Sequence, residues 1–362
     1  MRARRLHASL FLLPLLSAIL LGLAACGSHS DAIVVIALHP NNPDILYVAT
    51  NDYIYKSRDE GRTWATVSGG MSYSRVISMA IDPVYPATIY AGMKGDAVYK
   101  SYDGGQRWAA QQSGLDDVTF TSVVNQIVLD PADNQHLWAA TSMGIFESPD
   151  GGESWQARMA GMKEVLVTVT VALDPLRPDI LYAGTSGGVY KTSTRAQSWA
   201  KANEGLVSPA LLASSRALMV NLLLIDPSRP DIVYAATLDG LYKTMDGARA
   251  WTRIGLALPD QMIYAMALDR SSPDRLYVAG RRGLSKSTDG GVTWQEKNVG
   301  LGSLNIRSLA ISPGDPQTLY LGTNGSGLYR SRDGGDTWQP IPLAQGPPDT
   351  VFKSAGASPD PS

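Results

Sequence analysis

The feature that most restricts the fold of this chain is a short segment that returns seven times. "SRDGGDTW" ends at Trp338, and close relatives of it end at Trp64 ("SRDEGRTW"), Trp108 ("SYDGGQRW"), Trp155 ("SPDGGESW") and Trp294 ("STDGGVTW"). Two worn copies, "TSTRAQSW" and "TMDGARAW", end at Trp199 and Trp251. The tryptophans stand 44, 47, 44, 52, 43 and 44 residues apart. A period of that size belongs to a propeller or another repeat array.

The residues between the boxes repeat one grammar. In the fourth copy, "VTVAL" is followed by the turn "DPLRPD", then by "ILYAGT", "GVYKT" and, after the box, "SWAKA". These are four short β-branched or aliphatic runs separated by Gly, Pro and Asp turns, and no long run has a helical period. The second run carries Tyr47, Tyr90, Trp138, Tyr182, Tyr234, Tyr277 and Tyr320 in successive copies. The third carries Tyr55, Tyr99, Phe146, Tyr190, Tyr242, Ser285 and Tyr329. The pattern predicts an all-β, seven-bladed β-propeller of four-stranded antiparallel blades, with the first run innermost and the aromatics packed between blades. A closed ring also lets about 310 residues fold without splitting into separate domains.

The box has a local task at every position. Its glycines supply the positive φ of a tight hairpin between the third and fourth strands. Its Asp and Ser or Thr groups bond the turn's own amides, and its Trp buries a ring against the next sheet. The pattern S-x-D-x-G-x-T-W resembles the Asp-box, or bacterial neuraminidase repeat, over nearly all of residues 31 to 341. Propellers of that kind include sialidases, xyloglucan-cleaving glucanases, sortilin-type receptors and the photosystem II stability/assembly factor family. The resemblance implies that the boxes lie on the face away from any ligand, so Asp59, Asp103, Asp150, Asp246, Asp289 and Asp333 are read as structural with their tryptophans, and no catalytic residue is assigned. Thr194 and Ala196 replace the box Asp and Gly in the fourth copy, and Ala248 replaces a Gly in the fifth, so those turns are expected to be less regular.

The amino terminus reads as an address. Arg2, Arg4 and Arg5 precede an apolar run from Leu10 to Leu21, and "LAAC" ends at Cys26, the only cysteine. The order of charge, apolar run, small residues and cysteine resembles a bacterial lipoprotein signal, with residues 1–25 removed and Cys26 lipidated; an ordinary cleaved signal is the alternative. The expected organisation is a linker at 26–32, the propeller at 33–344 and a Pro- and Ser-rich tail at 345–362, in which "DTVFKS" (349–354) faintly echoes a strand. The location that follows is the cell envelope. Gly27 and Ser28 carry no aspartate retention signal, which favours an outer membrane where two membranes exist.

Charge and residue counts exclude several function classes. Loss of Arg2, Arg4 and Arg5 leaves 28 basic and 33 acidic residues, a net charge of −5, which argues against nucleic acid as a partner. One cysteine allows no internal disulfide, and His29, His39 and His136 show no metal-ligand spacing, so neither a metal nor another cofactor is expected. "GTSGG" at 184–188 formally matches a G-x-S-x-G elbow, but it joins two strands and no histidine is placed to serve it. Nothing matches the arginine triad and Tyr/Glu pair of a sialidase, or the two facing carboxylates of a glucanase, for which Asp52, Asp96, Asp116, Asp117, Glu164, Asp239 and Asp260 are the available acids.

Function is therefore expected on the face formed by the links between blades and by the turns between second and third strands. Arg75, Arg216, Arg281, Arg282 and Arg307 fall there, with Lys94, Asp52 and Asp239, and guanidinium forks suit carboxylates and phosphates. The alternative is a set of ordinary solvated charges. The long link at 205–217, "GLVSPALLASSRA", is either a partner-facing lid or a loop folded on its own blade. The repeat style, blade count and export signal most resemble the photosystem II stability/assembly factor-like group. That resemblance implies a non-enzymatic, membrane-anchored scaffold that binds a protein, with a glycan-binding or glycan-cleaving propeller as the alternative.

Overall fold

A computed structural model describes residues 32–71, 75–115, 123–162, 167–206, 218–259 and 262–343. Cys26, Arg216, Asp116, Asp117, Glu164, Asp260, most of the 205–217 link and the tail with "DTVFKS" lie outside the described residues.

Seven four-stranded antiparallel sheets form the molecule, each from consecutive strands. In blade one these are Val35–Leu38, Leu46–Ala49, Ile54–Ser57 and Ala65–Thr66. The inner strands of the remaining blades are Arg75–Ile81, Val124–Asp130, Thr168–Leu173, Val220–Ile225, Ile263–Leu268 and Ile306–Ile311. Each inner strand touches that of the next blade, and the seventh touches the first, so the ring is closed. Blade one keeps its own inner strand and blade seven its own outer strand, so no strand crosses the seam.

The alternation of the repeat explains the layers. Most second strands are buried from end to end, as in Leu181–Thr185 and Val233–Thr237, because both of their faces meet a neighbouring blade. Outer strands are only two or three residues long and carry exposed side chains, which limits edge pairing with other chains. The apolar core is seven clusters, one per blade interface, built around fully buried Tyr47, Tyr90, Trp138, Tyr182, Tyr234, Tyr277 and Tyr320. Blade three departs from the plan. Its turn "DPADNQ" lacks the second proline, and its second strand runs back to Asp133, which pairs with Asp130. Without that proline the ladder has nothing to stop it.

The boxes fold as hydrogen-bonded hairpins. Ser287 donates from Oγ to Asp289 Oδ1 at 2.7 Å and accepts from Gly291 N at 2.8 Å. Asp289 accepts from Thr293 N at 2.9 Å and from Thr293 Oγ1 at 2.5 Å. The worn boxes keep the same turn, contrary to expectation. Arg195, Ala196 and Ala248 hold φ of 50°, 62° and 67°, the region that glycine fills in the intact copies. The hydrogen bonds explain it: Thr194 Oγ1 accepts from Ser198 N at 3.1 Å in place of the missing carboxylate, and Ala248 N still donates to Thr244 Oγ1 at 3.0 Å.

Candidate functional site

Strand polarity puts the boxes and the first-to-second-strand turns on one face, and the blade links and second-to-third-strand turns on the other. The box face is held by a recurring latch between blades. Tyr234 Oη and Lys243 Nζ both donate to the carbonyl of Gly290 in the next blade, at 3.3 and 2.9 Å. Tyr277 and Lys286 do the same to Gly334, at 3.0 and 2.8 Å, and Tyr47 and Lys56 to Gly104, at 3.2 and 2.9 Å. Desolvation lowers the Lys56 ammonium to about 8, with Arg58 adding to the shift. The box tryptophans add a second tie: Trp108, Trp199, Trp251 and Trp338 each donate Nε1 to a backbone carbonyl of the preceding blade. Trp64 and Trp294 bond their own boxes instead, and Trp155 Nε1 is buried with no partner among the described residues.

Two junctions replace the latch with charge, and they do so in opposite senses. At the seam, Arg330 of blade seven donates to the Glu60 carbonyl at 3.0 Å, and Arg332 pairs with the Glu60 carboxylate. Between blades three and four, the strand cation becomes Glu147 and the box residue becomes Arg195. Arg195 reaches Asp130 at 2.8 Å and His136 Nδ1 at 3.2 Å, while Glu147 holds His136 Nε2 and Arg158. His136 lies stacked on Trp138, ring centroids 4.6 Å apart. This histidine is thus a structural tie inside the ring.

The link face is organised by a β-bulge at the same place in the inner strand of blades two to seven. The register slips by one residue at Ile77, Asn125, Val169, Asn221, Tyr264 and Arg307. The residue before each bulge is buried: Val76, Val124, Thr168, Val220, Ile263 and Ile306. The bulged residue is not, because it sits outside the ladder, where its side chain is free of the sheet's packing. Nothing in the residue types announces it, since four polar and two aliphatic side chains share the position.

Two of these bulges meet a turn arginine. Arg281, in the second-to-third-strand turn of blade six, donates Nε to Tyr264 Oη at 2.7 Å. The Arg307 guanidinium lies 5.0 Å from the Tyr264 ring centroid and that of Arg281 5.8 Å. One ring therefore engages two guanidiniums on the link face. Arg282 is exposed and donates to the Pro259 carbonyl at 3.2 Å. Across the mouth, Arg75 stands directly opposite Lys94 in the antiparallel register, and both are exposed.

The acids expected on this face behave differently from one another. Asp52 is exposed at the blade-one turn. Asp239 is not available to a ligand: its side chain is only 8% exposed, accepts from Tyr242 Oη at 2.6 Å and lies 3.6 Å from Arg253. Asp96 is engaged in the same way by Tyr99 at 2.9 Å. In both turns the carboxylate accepts from a third-strand tyrosine three residues on, which ordinary turn chemistry explains. "GTSGG" at 184–188 is a turn in which Thr185 Oγ1 donates to the Gly188 carbonyl at 2.8 Å. Among the described residues no three His, Cys, Asp or Glu side chains gather to hold a metal ion, and no helix is long and apolar enough to cross a membrane.

Comparison with known proteins gives the fold a context. The BNR/Asp-box repeat family model matches residues 329–340. No curated protein matches the sequence. Among solved structures, a Niastella koreensis GH74 enzyme superposes with a TM-score of 0.65 at 17% identity, over 85% of this chain and 53% of its own. The GH74 xyloglucanase of Xanthomonas campestris gives 0.60 at 17%, over 88% of this chain and 61% of its own. The chain thus spans little more than half the length of those enzymes. YCF48 bound to D1 peptide gives 0.59 at 19%, over 83% of this chain and 94% of its own. At these identities the likeness is one of fold.

Proposed function

We propose that this protein is a non-enzymatic, lipid-anchored β-propeller of the cell envelope that holds a protein partner on its link face. The observation that carries the reading is the cationic mouth, where Arg281 and Arg307 flank Tyr264 on adjacent blades. Paired guanidiniums on a rigid sheet rim suit a carboxylate-bearing segment of a partner, and their pre-set geometry lowers the entropic cost of binding. The acids of the same face support the reading, because Asp239 and Asp96 are already committed to tyrosines. The YCF48 structure, which is similar over nearly its whole length, holds a peptide of the D1 protein, and that supports a protein partner here. Cys26 is the residue we assign to the lipid, in keeping with an envelope location and a scaffold role during membrane-complex assembly.

The test is a photocrosslinking residue in place of Arg307, with a second in place of Val292 on the box face as control, in cells that carry the protein. Recovery of a membrane-complex subunit from position 307 and not from 292 is expected. Recovery of nothing, together with cleavage or binding of xyloglucan oligosaccharides by the purified protein, overturns the reading in favour of a glycan-active propeller.

A further inference from the structure

We propose that the link face lies flat on an anionic lipid bilayer, with Arg75, Lys94, Arg282 and Arg307 contacting headgroup phosphates. This goes beyond the partner reading and does not require it. Three observations carry it.

First, Arg75 and Lys94 are directly opposed on adjacent strands, where Cβ atoms stand about 5 Å apart and like charges destabilise the pairing. No carboxylate among the described residues is within ion-pair distance of Arg75, Lys94 or Arg307. An exposed repulsive pair with no carboxylate beside it among the described residues suits an anion from outside.

Second, apolar tips stand among these cations. Tyr53, Met143, Val167 and Leu304 are 39%, 43%, 39% and 43% exposed, each from a different loop of this face. Val167 and Leu304 are fixed there, their carbonyls accepting from Ser186 N and Gly283 N in the neighbouring turns. An acidic peptide makes no use of apolar tips distributed around a ring. An interface of headgroups and acyl chains takes both kinds of side chain at one depth.

Third, the chain enters the propeller from this side. Ile33 N donates to the Thr323 carbonyl at 2.9 Å, beside the second-to-third-strand turn of blade seven, so the first described residues of the propeller lie at the link face.

The experiment uses the full chain with Cys26→Ser, so that no lipid contributes. Sedimentation with vesicles of phosphatidylcholine and phosphatidylglycerol is compared with sedimentation with pure phosphatidylcholine. A cation near an anionic surface is worth about five-fold in partitioning. The expected result is a preference for the anionic vesicles that Arg75→Glu, Lys94→Glu and Arg307→Glu together abolish, with binding to neutral vesicles unchanged. Orientation is read separately with a fluorophore at Leu304→Cys or Leu176→Cys, the latter on the box face, against a quencher in the bilayer. Quenching at 304 and not at 176 is expected, and this measurement stands even if the triple variant fails to fold. Equal binding to both kinds of vesicle, an unaltered preference in the folded triple variant, or quenching at 176 overturns the proposal. Protein-free vesicles contain no partner, so failure here leaves the partner reading standing, and failure of the crosslink leaves this one.

Discussion

At the scale of the residue, the box carboxylates are the most informative groups. The Thr63 hydroxyl, the Thr63 amide and the Ser57 hydroxyl donate to Asp59 and hold it down at about 2. Burial pushes Asp333 up, but the Thr337 and Ser331 donors prevail and bring it to about 2. A carboxyl whose folded value lies below its unfolded one contributes stability that is complete above about pH 4 and is lost as pH falls toward 2. The melting temperature is therefore expected to drop between pH 4 and pH 2, and Asp59→Asn with Asp333→Asn to flatten that drop. Thermal scans at stepped pH check it. The worn boxes supply a second prediction. Ala248 holds φ 67°, a left-handed geometry that costs a residue with a Cβ about 1 kcal/mol. Ala248→Gly is expected to stabilise the protein by about that amount in a denaturant titration. The sequence located the substitutions but not this outcome, because the turn is imposed by the flanking ladder and by Thr244 rather than by the residue itself.

At the scale of the element, the full latch ties a sheet to the next at three junctions, and it was only half legible. The second-strand tyrosine and third-strand lysine recur together at Tyr47 and Lys56, Tyr90 and Lys100, Tyr182 and Lys191, Tyr234 and Lys243, and Tyr277 and Lys286. The period exposes the pair, but which carbonyl it reaches depends on how blades dock. The same limit hid the bulges, whose residue types share no signature. Strand number, strand order and the buried aromatics were legible, because each follows from a two-residue alternation interrupted by Pro and Gly. At the candidate site, the arginines of the link face were legible as a set, whereas Asp239 was not: its tie to Tyr242 and Arg253 arises only when the turn folds. One pair of variants tests the latch. Tyr234 Oη bonds the Gly290 carbonyl, whereas Tyr182 Oη is buried with no partner among the described residues. Tyr234→Phe is expected to cost about 1 kcal/mol, and Tyr182→Phe to be neutral or slightly stabilising, since an unsatisfied hydroxyl costs energy to bury. Chemical denaturation of the two variants side by side checks both signs.

At the scale of the whole molecule, the seam between blades seven and one differs from every other junction, because no link of the chain spans it. Ile33, Trp64, Tyr320, Leu328 and Ile341 pack across it, and Arg330 and Arg332 converge on Glu60 at its rim. Glu60→Gln keeps the backbone acceptor and removes the charge. It is expected to cost about 1 kcal/mol, as partly exposed ion pairs do, and to raise amide exchange in blades one and seven ahead of blade four. Exchange measured by mass spectrometry on peptides from each blade decides the order. The bulged inner strands carry a different consequence for the molecule as a lineage. Because each bulged residue stands outside the ladder, it can be replaced without breaking a pairing of its own sheet. The link-face rim is thus a row of unlike letters on a repeated frame, coupled where Tyr264 meets Arg281 and Arg307, and substitution there can change what is recognised while the ladder stays as it is.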